Sequence, residues 1–190
     1  MKKPTNLLFA LFASLSLTVS PLWAQSPDKA AKQPKIEAAP NVKNFKALQK
    51  LNQQIVSLSK KAQPATVCLV AKNGRGAGSG VIVNQDGLIL TAAHVTSSMP
   101  GEIIVIFPDG TRKEAVSLGA DYDRDAAMVQ IKEPGKYPFV EVGQSKDLNR
   151  NQWTVALGHS GGFDPMRKPP VRLGRVLRNE KFIVTDTAVV

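Results

Sequence analysis

Thr91-Ala92-Ala93-His94-Val95 delivers an imidazole just past the end of an apolar strand. Imidazole is the side chain best suited to move a proton at neutral pH, and the rim of a sheet beside a buried core is where a general base belongs. A structural histidine, satisfied by its neighbours, is the plain alternative. Two other groups compete for the role of nucleophile. Cys68 lies inside the apolar run Thr66-Val67-Cys68-Leu69-Val70 with nothing electropositive beside it, which reads as a small buried hydrophobe. Gly158-His159-Ser160-Gly161-Gly162 places a serine among glycines, in a stretch that otherwise has the composition of a turn.

The elements that must position these residues are short and β-rich. Strands are predicted over residues 66–71, 78–84, 88–91, 102–107, 111–120 and 125–131. Asn73-Gly74, Asn84-Gln85-Asp86-Gly87 and Pro108-Asp109-Gly110 supply turns between them. Six such strands suit one closed antiparallel barrel, because closure removes exposed edges. Ahead of the barrel, Val42, Phe45, Leu48, Leu51, Ile55 and Leu58 recur at helical spacing, so an amphipathic helix is expected over residues 41–61, capped by Asn41 and ended by Pro64. Packing on the barrel is its simplest role; contact with a second copy or with a membrane surface is the alternative.

Composition and charge narrow the function classes. The chain of 190 residues carries a formal charge of +10, which invites a nucleic-acid reading. Ten lysines against two acids, Asp28 and Glu37, fall within residues 1–61, leaving the remainder close to neutral. The basicity therefore belongs to the amino-terminal arm, and nucleic acid is not an expected partner. Residues 1–24 read as a signal peptide: Met1-Lys2-Lys3 is basic, residues 7–19 are apolar, and a small residue, Ala24, precedes the expected cut. Residues 25–40 read as a solvated basic linker. With Cys68 the sole cysteine, no intrachain disulfide forms. Export to the periplasm or beyond is the expectation, without a stable membrane span after cleavage.

Gly78-Ser79-Gly80-Val81-Ile82-Val83 together with Thr91-Ala92-Ala93-His94-Val95 resembles the trypsin-like serine proteases of the HtrA (Deg) type. The resemblance continues through Asp125-Ala126-Ala127-Met128-Val129, Trp153-Thr154-Val155-Ala156-Leu157-Gly158 and Ile183-Val184-Thr185-Asp186-Thr187. It implies an all-β double barrel, with a first barrel over residues 62–134 and part of a second over 135–190. His94 would be the general base of a Ser-His-Asp triad acting on polypeptide substrates, the family's usual targets being unfolded exported proteins, with no metal or organic cofactor. Among Asp121, Asp123 and Asp125, the last stands at the entrance of a buried strand and is the expected triad carboxylate, held largely buried against the ring. Ser160 follows both in the right order, yet the flanking strands align it with a loop position of the family, ahead of the nucleophile motif. The chain is thus expected to be a fragment lacking the nucleophile and oxyanion hole. A catalytically inactive, partner-binding envelope protein is the other reading, and assembly with further copies stays open.

Overall fold

A computed structural model of the protein describes residues 43–74, 76–99 and 102–187. The predicted signal peptide and linker, and Asn41, lie outside the described residues. Helix α1 spans Phe45–Ala62. Asn44 caps it, its side-chain oxygen accepting the Ala47 N–H at 2.9 Å, so the cap falls three residues beyond the one expected. Asn41 and Asn44 carry the same chemistry, and composition alone does not separate two asparagines one helical turn apart. A short 3₁₀ turn, Gln63–Ala65, holds Pro64 and leads into the sheet.

Six strands then close a barrel: β1 Thr66–Ala71, β2 Ala77–Ile82, β3 Leu88–Thr91, β4 Ile103–Ile106, β5 Arg112–Asp121 and β6 Ala126–Ile131. Their order around the barrel is β1-β2-β3-β6-β5-β4, and every pairing is antiparallel. The fold class read from the residues is therefore the one observed. Period-two alternation fills the interior: Val67, Leu69 and Ala71 of β1 join Ile82, Ile89, Ile103, Val105 and Val129 in one buried cluster. Thr66 and Cys68, on the opposite face of β1, are also buried. The β2–β3 loop is tied by Asn84, whose Oδ1 accepts the N–H groups of Asp86 and Leu88.

Beyond β6 the chain runs without regular structure back across the barrel. Tyr137 N–H donates to Gln85 O and Val140 N–H to Ile82 O, and both side chains pack against the barrel core. The Tyr137 ring stacks on Phe107 with centroids 5.9 Å apart. A three-stranded antiparallel sheet follows, β7 Trp153–Leu157, β8 Val171–Asn179 and β9 Ile183–Thr185, in sequential order. Trp153 pairs with Arg175 across β7 and β8, and the Arg175 guanidinium lies 4.0 Å from the indole centroid, a cation–π contact. No helix among the described residues is long and apolar enough to cross a membrane.

Candidate active site

The motif around the histidine becomes intelligible from its contacts. A short helix α2, Ala93–Ser97, begins two residues after β3, and three residues of β2 decide where it sits. A Cβ at Gly78 would stand 2.5 Å from Val95 Cγ1, and one at Gly80 would stand 2.6 Å from Ile89 Cγ2. Only glycine leaves room for Val95 and Ile89 to press against the β2 backbone. Between them, the Ser79 carbonyl accepts the Thr91 hydroxyl at 2.8 Å, which pins the end of β3. Ala93 and Val95 are buried, so His94, between them, is turned outward.

His94 meets Asp125 there. The Asp125 carboxylate uses both oxygens: Oδ2 lies 2.7 Å from His94 Nδ1, and Oδ1 accepts the His94 backbone N–H at 3.0 Å. The second bond satisfies one of the amide donors that a helix leaves unpaired in its first turn. One carboxylate thus fixes both the main chain and the ring of the same residue. Asp125 takes φ = +49°, a left-handed conformation that aspartate reaches more readily than most side chains. Asp121 holds the preceding turn together, accepting Arg124 N–H at 3.1 Å and pairing with its guanidinium at 2.5 Å. Of the three aspartates in the turn, Asp125 is the one at the imidazole.

The His94 backbone N–H, and after it the ring, hold the Asp125 carboxyl below the usual aspartate range. The carboxylate is therefore charged at neutral pH. Its expected burial is not observed: the His94 and Asp125 side chains are 73% and 53% exposed. Asp125 belongs to the turn outside the barrel rim, and no other described residue covers the pair from the solvent side.

Ser160 is not hydrogen-bonded to His94; among the described residues the imidazole is bonded to Asp125 alone. The Ser160 carbonyl accepts from Arg167 Nη2 at 2.8 Å, and Gly161 and Gly162 take φ of +78° and +93°. Those two glycines serve a turn, closed by Gly162 N–H on His159 O at 3.1 Å. Cys68 is fully buried and burial pushes its thiol up, which leaves it without thiolate character.

His159, inside the stretch whose composition reads as a turn, is only 5% exposed. Its backbone N–H donates to Ser79 Oγ at 2.7 Å, tying the segment after β7 to β2, and its ring packs on Phe163. Its Nε2 is buried without a hydrogen-bond partner. A histidine inside a glycine-rich run carries no periodicity that would reveal burial; only Ser79, 80 residues earlier, explains it. Burial pushes the His159 imidazole below its ordinary value, opposed by the Thr66 carbonyl. The unfolded chain therefore binds a proton that the folded state resists, so this contribution is intact above about pH 6.5 and is lost as pH falls through the depressed value. The only other histidine is the exposed His94. His159→Asn is accordingly expected to flatten the decline in urea midpoint between about pH 7 and pH 5. An unchanged pH slope in the variant would contradict the burial argument.

The family model for the trypsin-like peptidase domain matches residues 78–189. A probable periplasmic serine endoprotease DegP-like of Pseudomonas fluorescens is 36% identical over 124 residues, covering 62% of this chain and 25% of that protein. A putative serine protease HhoB of Synechocystis is 32% identical over 124 residues, with 60% and 29% covered. Serine protease HTRA1 of Xenopus tropicalis is 41% identical over 81 residues, with 43% and 17% covered. The matched stretch spans about a quarter of the length of the DegP-like relatives.

Proposed function

The chain belongs to the trypsin-like peptidase family, and on that premise we propose that His94 and Asp125 are the general base and orienting carboxylate of an HtrA-type serine endopeptidase. The observation that carries this reading is the two-pronged Asp125 carboxylate, on Nδ1 and on the backbone N–H of the same histidine. Accepting at Nδ1, it selects the tautomer with the proton there and leaves Nε2 as the basic nitrogen. A serine hydroxyl placed at Nε2 would lose its proton to the ring while its oxygen attacks a peptide carbonyl. The ring would then return that proton to the departing amine, and water, activated the same way, would release the acyl group. Nothing in this sequence of steps calls for a metal or organic cofactor.

The reading takes the nucleophile from outside residues 158–162. Ser160 lies in a glycine turn, without a bond to the base. Polypeptides are the proposed substrates, and the periplasm the proposed location, the latter supported by the DegP-like relatives, which are named periplasmic serine endoproteases. A fluorophosphonate probe, which marks activated serines, tests the assignment when adducts are mapped by mass spectrometry. Incubated with the chain, it is expected to leave Ser160 unmodified. An adduct on Ser160 that disappears in His94→Ala would make the glycine turn a nucleophile loop and overturn the reading.

A further inference from the structure

Helix α1 leaves much of its apolar surface uncovered. Over its 18 residues only Leu51 and Ser59 are buried, while Phe45, Leu48, Val56 and Leu58 are 72%, 49%, 43% and 57% exposed. An isolated helix of this length is marginal in water, and one held in a fold normally draws its stability from a covered apolar face. At 100° per residue, Phe45 and Val56 share one edge of the helix, with Lys60 and then Lys46 following around the circumference. The helix also carries Lys50 and Lys61 and contains no acidic residue.

We propose that this edge of α1 docks on an anionic lipid surface, lying in the interface with Phe45 and Val56 at the acyl boundary and the lysines at the headgroups. Charge complementarity selects the occupant. The helix has lysines but no acidic residue to pair with them, so a second copy of the same helix laid alongside it would set lysines against lysines, whereas a sheet of phosphates attracts Lys46 and Lys60 together. Phe45 and Val56, both exposed, lie along one edge of a convex cylinder, suited to a planar interface.

The test must report on α1 itself, since the apolar segment at residues 7–19 could bring the chain to a bilayer unaided. The 190-residue chain carrying Trp23→Phe and Phe45→Trp is mixed with vesicles of phosphatidylcholine containing about one-third phosphatidylglycerol, some with brominated acyl chains. Quenching is measured relative to Trp23→Phe alone, whose remaining indole is Trp153. The indole at position 45 is expected to be quenched and blue-shifted with anionic vesicles and not with pure phosphatidylcholine. Adding Lys46→Glu and Lys60→Glu should raise the lipid concentration needed for half-maximal quenching by about tenfold or more. Absent quenching with anionic vesicles, or equal quenching with both lipids, would overturn the proposal. So would a blue shift that grows with protein concentration in the absence of lipid, which would assign the face to another copy of the chain.

Discussion

Asp125→Asn is expected to lower peptide hydrolysis by about 10⁴-fold in kcat in any active form of this protease domain, with little change in fold. The substitution is nearly isosteric. Its amide oxygen still accepts the His94 backbone N–H, so helix α2 keeps its first-turn partner. Facing the ring, however, an NH₂ group replaces the oxygen now 2.7 Å from Nδ1. An amide there donates, forcing Nδ1 to accept and moving the ring proton to Nε2, where it blocks the base. The tautomer provides a readout independent of turnover. In ¹⁵N spectra of the neutral imidazole, the wild-type chain should carry its proton on Nδ1 and the variant on Nε2. Asp121→Asn and Asp123→Asn should leave the ring unaffected. A wild-type ring protonated at Nε2 would remove the basis for assigning His94 as the base.

How much of this arrangement is legible in the residues depends on the range of the interaction that sets each feature. The barrel strands are local: alternation of apolar residues and Asx- or glycine-bearing turns place β1 and β3 at the ends expected, because each signal is complete within a few residues. Asp125 is legible for a related reason, standing directly before the buried strand β6. Its left-handed backbone and its exposure are not, since both depend on how the turn leaves the barrel and on what covers it. Within residues 135–190, read as part of a second barrel, the Val140 N–H bond to Ile82 O of the first barrel was likewise not legible, since it joins residues far apart in the chain. The roles of Gly78 and Gly80 required the positions of Val95 and Ile89, and that of Ser79 required His159. The motif could be recognised by its pattern long before its physical reason, a notch for one side chain on each side of a hydrogen-bonding serine, was available.

Leu69→Ala is expected to destabilise the chain by about 3 kcal/mol, within the 2–5 kcal/mol range of buried leucine truncations. Leu69 is fully buried in the barrel, on the strand that pairs with both β2 and β4. The site is poorly able to collapse around the loss. Directly against the leucine lies the backbone of Gly80, where even an added Cβ would come within 3.2 Å of Leu69 Cδ1, and glycine has no side chain to move into the space. Ile89 is fully buried beside it, held by the β3–β6 pairing. The void therefore persists, and its lining loses dispersion contacts as well as the transfer energy of the deleted methyl groups. In a chain of this size the change corresponds to a fall in Tm of roughly 6–12 °C. Equilibrium urea unfolding followed by circular dichroism checks the value, with Leu48→Ala as the comparison. Leu48 is 49% exposed on α1, and its truncation should stay within about 0.5 kcal/mol of wild type. Equal losses at the two leucines would mean that the barrel interior is not where the stability of this fold resides.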